Sequence, residues 1–150
     1  MIVFDLDGTL ADCEHRRHLV NGTVRDAAPN WAEFFARCVD DTPIWPVIHV
    51  LEHMYNGGEV LEIWSSRDYS VYLQTLEWLN RYLGAKSRRI PLRMRPAGNT
   101  EPDTVIKERW LDEVLRQGLT VEMVFDDRAK VVEMWRRRGI LCAQVALGAY

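Results

Sequence analysis

The chain has 150 residues, of which 47% are hydrophobic and 27% charged, with a formal net charge of −3. That length can bury a core as one domain, and the apolar content with so small a net charge excludes an intrinsically disordered chain. The mildly acidic balance argues against a dedicated duplex-binding module, which carries a broad basic face, but leaves room for a small phosphorylated substrate or one end of a nucleic acid strand.

In chain order, the apolar run Ile2 to Phe4 ends at Asp5 and reads as a buried strand. From about Ala11 to Pro43 no regular alternation holds. The Asn21-Gly22 and Pro29-Asn30 turns and a short helical piece, Trp31 to Val39, mark an insertion of about residues 11–43, a small cap after the first strand. Pro46 to Tyr55 is helical, with Val47, Val50, Leu51 and Met54 on one face. Val60 to Trp64 follows the Asn56-Gly57-Gly58 turn as a second strand, stopped by Ser65-Ser66. Tyr69 to Leu83 is helical, with Tyr72, Leu76, Leu79 and Leu83 inward. Pro91 to Arg95 alternates as a weaker strand. About Pro102 to Gln117 is helical, with Ile106, Trp110, Val114 and Leu115 inward, Pro102 at the first position and Gly118 closing it. Val121 to Phe125 is a strand ending at Asp126-Asp127. Ala129 to Arg138 is a helix with Val131, Met134 and Trp135 inward, and Leu141 to Val145 is the last strand.

Strand–helix alternation of this kind implies parallel strands joined by right-handed crossovers: a single α/β domain over residues 1–150, a three-layer α/β/α sandwich. Three strands end directly in polar chemistry, at Asp5, Ser65 and Asp126. Ligands of open parallel sheets bind outside the carboxyl ends of the strands. The scattered Cys13, Cys38 and Cys142 form no CxxC pair or Cys/His cluster, so neither zinc nor a disulfide framework is expected. With the N-terminus turning acidic after a few apolar residues, and no apolar run near the ~20 residues of a membrane span, a reduced cytoplasmic setting is expected, with no membrane partner. The sequence carries no signal of oligomeric state.

The run Asp5-Leu6-Asp7-Gly8-Thr9 concentrates the chemistry. A carboxylate at the tip of a buried strand costs desolvation energy unless cations or hydrogen bonds offset it. A second one at Asp7 invites a divalent metal or a shared proton. Gly8 permits a turn whose N–H groups can face an anion. This D-x-D-G-T run after a strand resembles motif I of the haloacid dehalogenase superfamily of phosphatases. The resemblance makes Asp5 the nucleophile that forms an aspartyl-phosphate and Asp7 the general acid/base. It places Thr9 and the Ser65 hydroxyl on the phosphoryl oxygens, Lys107 on the nucleophile and phosphate, and Mg²⁺ on Asp5, Asp126, Asp127 and the backbone carbonyl of Asp7.

The run Phe125-Asp126-Asp127-Arg128, then Val131 to Arg137 and Gln144-Val145-Ala146, resembles the phosphatase domains of bacteriophage polynucleotide kinase/3′-phosphatases over nearly the whole chain. That resemblance adds Arg16 and Arg67 as phosphate ligands, with Ser65-Ser66-Arg67 matching a Ser-Gly-Arg stretch. It also adds Asp103, one helical turn before Lys107 and able to orient it. Ser66 in place of glycine either narrows the approach to the phosphate or adds a hydroxyl. No G-x-x-x-x-G-K-[ST] run occurs, so a kinase phosphate loop is missing. The implied function is a Mg²⁺-dependent phosphomonoesterase acting on the 3′-phosphate of a nucleic acid end or nucleotide. The alternatives are a nucleotidase for free nucleoside monophosphates and a silent binding subunit that keeps the scaffold. His49 and His53, four apart on one helix, lack a third ligand and read as surface or packing residues. Arg136 to Arg138 reads as a solvated helix end, and Trp31 is the cap residue suited to base stacking.

Overall fold

The computed structural model describes residues 1–21 and 28–148; Gly22 of the expected Asn21-Gly22 turn lies outside them. The elements are β1 (Ile2–Phe4), β2 (Ala11–Asp12), α1 (Glu14–Arg17), α2 (Trp31–Ala36), β3 (Thr42–Pro43), α3 (Trp45–Asn56), β4 (Leu61–Asp68), α4 (Tyr72–Leu83), β5 (Leu92–Arg95), α5 (Asp103–Arg116), β6 (Met123–Arg128), α6 (Ala129–Arg137) and β7 (Leu141–Gly148). Short 3₁₀ turns follow α2 at Arg37–Asp40 and precede α4 at Tyr69–Val71.

Five strands form one sheet in the order β5-β4-β1-β6-β7, with every pairing parallel. β1 therefore lies in the middle, with Phe4 level with Ile63 of β4 and Phe125 of β6. Because side chains alternate across a strand, Ile2 and Phe4 pack with Ile48, Leu51, Trp78 and Leu79 of α3 and α4. Val3 turns the other way, to Ile106, Trp110, Val131 and Trp135 of α5 and α6. Two helices cover each face: the expected three-layer sandwich.

Several boundaries differ from the sequence reading. β4 does not stop at Ser65-Ser66 but runs on to Asp68, because β5 pairs with it through Ser65↔Met94 and Asp68↔Arg95. It starts at Leu61, leaving Val60 exposed. β6 is displaced to Met123–Arg128, since β7 pairs Gln144 with Asp126 and Gly148 with Arg128. Pro102 precedes α5 as its cap rather than opening it. On α3, Ile48 and Leu51 are buried while Val50 is exposed. On α4, Thr75 and Trp78 are buried and Leu76 only partly so. On α5, Leu111 takes the inward place expected for Leu115, which is exposed. The α3 and α4 shifts move the apolar face by about one position, within the width of an amphipathic stripe, while Leu111 and Leu115 lie one turn apart on the same face of α5.

The insertion between β1 and α3 carries β2 and β3 as a two-stranded antiparallel pair, together with α1 and α2. Among the described residues no helix is long and apolar enough to cross a membrane. The basic run at the end of α6 is largely tied down: Arg136 donates to the Cys142 carbonyl, and Arg138 to Glu108 and Asp112.

Trp64 anchors one face, edge-on to Trp110 at 5.8 Å and tilted against Trp135 at 5.7 Å. Trp135 is fully buried, and its indole N–H has no hydrogen-bond partner among the described residues. Trp135→Ala is expected to lower stability by about 3–5 kcal/mol in urea unfolding. Trp135→Phe should lose clearly less, because no hydrogen bond goes with the indole.

Candidate active site

Asp5 is the first residue beyond β1, and its N–H donates to the Phe125 carbonyl at 2.9 Å, which docks it against β6. Leu6 then accepts N–H bonds from Thr9, Leu10 and Ala11, folding the chain into a tight loop. Gly8 sits in it at φ 85°, and a Cβ there would overlap the Asp127 carboxylate. The motif therefore needs glycine twice over, for its backbone angle and for the close approach of β6. A cleft of about 850 Å³ opens above these strand ends; its described lining includes Asp5, Asp7, Ser66, Lys107, Asp126 and Asp127.

One carboxylate oxygen from each of Asp5, Asp126 and Asp127 lies within 4.8 Å of the others, and all three residues are buried. Lys107, carried in on α5, donates to Asp5 Oδ1 at 2.6 Å and Asp126 Oδ2 at 2.8 Å. Burial alone would lower the pKa of this ammonium, but Asp126 and Asp5 more than reverse that and hold it well above the ordinary lysine value. Burial pushes Asp5 the other way, well above the usual carboxylate range, with Lys107 pulling against it. Arg17 approaches Asp127 at 3.8 Å. Three buried carboxylates around one ammonium form an all-oxygen donor set with excess negative charge, which fits a hard divalent cation.

Asp7, two residues on, faces a different environment. Arg16 Nη2 donates to Asp7 Oδ1 at 2.7 Å, and Arg67 Nε and Nη2 donate to the same oxygen at 3.0 and 2.6 Å. Burial would raise the Asp7 carboxyl, but Arg67 and Arg16 outweigh it and hold its pKa below the usual value. Both guanidinium groups also grip Asp41: Arg16 through Nε and Nη2, each at 2.7 Å, and Arg67 through Nη2 at 2.6 Å. The Asp41 carbonyl accepts from the Trp78 indole at 2.7 Å, and His15 Nε2 lies 2.9 Å from Asp41 Oδ1. Two acids and two arginines thus form a formally neutral quartet, buried but for the cleft-facing Asp7, that joins the end of β1, β4 and the insertion.

The structure gives several of the expected site residues protein partners. Arg16 and Arg67, expected on a substrate phosphate, are both fully buried, and Asp7 and Asp41 occupy their N–H groups. The Ser65 hydroxyl accepts from the Arg67 N–H, and it is Ser66 that lines the cleft, its buried Oγ without a partner among the described residues. Thr9 is fully buried, its Oγ1 likewise unpartnered and its side chain outside the described cleft lining. Asp103 does not touch Lys107. It bonds Arg95 at 2.7 Å and Arg128, and so ties the start of α5 to β5 and β6. Asp7 contributes no carboxylate to the acid cluster.

Sequence reasoning missed Asp41 and Arg95. Arg95 is buried and donates to the carbonyls of Ser66, Asn99 and Glu101 as well as to Asp103, fixing β4 to the loop before α5. Nothing in the sequence around either residue marks it. The one available signal was bookkeeping: two buried arginines cannot be balanced by Asp7 alone.

A parallel sheet whose middle strand ends in Asp5, with a lysine from a following helix held against it and paired acids on the next strand, defines a phosphatase of the haloacid dehalogenase type. Comparison with known families goes further: the family described as the polynucleotide kinase PNKP phosphatase domain matches residues 1–150, and the chain belongs to it. A protein of Autographa californica nuclear polyhedrosis virus named as a bifunctional polynucleotide kinase/RNA ligase is 28% identical over 136 residues, 90% of this chain and 17% of that protein. A solved chain of the Pnkp1/Rnl/Hen1 complex superposes with a TM-score of 0.79 at 27% identity, over 99% of this chain and 46% of that one. The Class C acid phosphatase of Bacillus anthracis shares the fold, with a TM-score of 0.62 at 14% identity over 98% of this chain and 68% of its own. The chain spans less than half the length of the first two.

Asp41→Ala leaves Arg16 and Arg67 short of a buried carboxylate. It should lower stability by about 3–5 kcal/mol in urea unfolding, whereas the exposed Glu133→Ala should stay within about 0.5. A divalent ion should raise the thermal midpoint of the parent protein, and Gly8→Ala should lose that rise, because the new Cβ displaces the Asp127 carboxylate.

Proposed function

We propose that the chain is a Mg²⁺-dependent phosphomonoesterase that removes 3′-phosphates from nucleic acid ends, RNA ends in particular, through an aspartyl-phosphate on Asp5. The observation that carries this reading is the division of the two motif carboxylates between unlike surroundings. Asp5 lies among acids beside a single ammonium, suited to a metal and to attack on an electrophile. Asp7 lies between two guanidinium groups, with Oδ1 fixed and the side chain still bordering the cleft. Environments that separate paired carboxylates in this way assign them separate roles.

Mg²⁺, held by Asp5, Asp126, Asp127 and the backbone carbonyl of Asp7, would supply positive charge against the phosphate oxygens. A carboxylate oxygen of Asp5 attacks phosphorus in line, and the bond from phosphorus to the sugar oxygen breaks. Asp7, ionised in the free site because Arg67 and Arg16 hold its pKa down, takes the proton that a phosphomonoester monoanion brings in and passes it to that oxygen, which leaves as a hydroxyl. Asp7 then takes a proton from water, the water oxygen bonds to phosphorus, and inorganic phosphate departs, restoring the Asp5 carboxylate. Lys107 steadies the negative charge on Asp5 and the phosphoryl group. Ser66 lines the cleft with a hydroxyl that has no partner among the described residues, and Arg16 and Arg67 keep Asp7 oriented.

A nucleic acid end suits the cleft better than a small sugar phosphate does, because the same lining carries Trp31, Phe35 and Lys130. The kinase/RNA ligase name of the viral relative supports RNA ends. Phosphate release should be compared on a 3′-phosphorylated oligonucleotide, a 3′-mononucleotide and a 5′-mononucleotide. The oligonucleotide should be preferred, EDTA should abolish release and Mg²⁺ restore it. Asp7→Asn should lower kcat roughly 10²- to 10⁴-fold, and Asp5→Asn should remove nearly all turnover. Equal rates on the 5′-mononucleotide would overturn the substrate assignment, and metal-independent turnover the mechanism.

A further inference from the structure

Trp31 stands at the first position of α2, and its indole is 52% exposed although it lines the same cleft as Asp5 and Asp7. Two aromatic neighbours pack against it: Phe34, edge-on at 5.7 Å, and Phe35 at 5.9 Å with the ring planes 29° apart. The backbone beneath is fixed as well. Asn30 Oδ1 accepts the Glu33 N–H at 3.1 Å, and Asn30 Nδ2 donates to Glu33 Oε2 at 3.0 Å. The ring is therefore a fixed surface with an open side.

This aromatic group is joined to the chemistry. The Arg16 guanidinium lies over the Phe34 ring, 4.1 Å from its centroid, and Arg16 Nη1 donates to the Phe34 carbonyl at 3.1 Å. Arg16 in turn holds Asp7. An unbroken chain of contacts runs from Trp31 through Phe34 and Arg16 to Asp7. The half-exposed indole faces a cleft whose described lining is partly charged and partly apolar, with Phe35 and Val131 beside Lys107 and Lys130. It fits a ligand that brings a flat aromatic group joined to its phosphate, and a nucleotide has that shape.

We propose that Trp31 is the stacking platform for the base of the nucleotide that carries the scissile phosphate, so that the cleft selects a base-bearing end over other phosphomonoesters. The proposal rests on the reading of the cleft as a nucleotide-end phosphatase site. Stacking of one base on one aromatic ring changes affinity by roughly tenfold, within a range of about five- to 150-fold.

The test compares a 3′-phosphorylated oligonucleotide with the same oligonucleotide lacking its terminal base. The parent protein should favour the base-bearing substrate about tenfold in kcat/KM, through KM. Trp31→Ala should lower kcat/KM on the base-bearing substrate to the level of the abasic one, and a far-UV circular dichroism spectrum matching the parent's shows that the variant is folded. Trp31→Phe should retain part of the preference. A Trp31→Ala protein that keeps the preference, or loses activity equally on both substrates, would overturn the proposal. Affinities of Asp5→Asn and Asp5→Asn/Trp31→Ala proteins for the two oligonucleotides, read by fluorescence anisotropy, separate the proposal from the activity on which it rests. If the parent hydrolyses no 3′-phosphate, the functional reading fails, and the binding comparison still decides whether Trp31 holds a base.

Discussion

The rest of the structure depends on keeping carboxylates buried at the end of a parallel sheet. Asp5, Asp126 and Asp127 would repel one another strongly in so dry a setting, and the Lys107 ammonium between Asp5 and Asp126 is what makes their convergence tolerable. That ammonium must come from outside the three strands. It comes from α5, whose apolar face of Ile106, Trp110, Leu111 and Val114 fixes the helix to the sheet. Packing on one side of the helix and charge at the site are two consequences of one placement. The acid cluster keeps an excess of negative charge beyond Lys107, the condition under which a divalent cation binds with gain.

The second electrostatic unit follows the opposite rule. Asp7, Asp41, Arg16 and Arg67 balance, and their value is in fixing position rather than attracting a ligand. Charge-assisted bonds from planar guanidinium groups set direction as well as energy. One acid is thereby held at the cleft edge, while the insertion is locked to β4 through Arg67 and Asp41. Arg95 performs a related task nearby, stitching the end of β4 to the loop before α5. Two carboxylates two residues apart in the sequence thus come to unlike surroundings because their neighbours, drawn from distant parts of the chain, differ.

The sequence made the sheet and its catalytic edge legible for a physical reason. Strands buried on both faces read as apolar runs, and three of the runs here stop at polar residues beside the cleft: Asp5, Ser65 and Asp126. Lys107 was legible only through family resemblance, since a lysine on a helix is ordinarily solvated. What escaped were partners set by tertiary contact. Asp103 was assigned to Lys107 on helical spacing, but spacing says which residues share a face and not what lies opposite; Arg95 and Arg128 lie there. The family resemblance puts Arg16 and Arg67 on a substrate phosphate, and no local signal shows that Asp41 also holds both. β4 and β6 outran their apolar runs because strand length is set by the neighbouring strand as much as by composition.

The central claim, that Asp5 is the covalent nucleophile, is tested most directly by trapping. Borohydride reduces an acyl phosphate to an alcohol, so an aspartyl-phosphate formed during turnover becomes homoserine, which peptide mass spectrometry locates. The account predicts homoserine at position 5, dependent on both substrate and divalent metal. Homoserine at position 7, or steady turnover with no reducible intermediate at any aspartate, would contradict it.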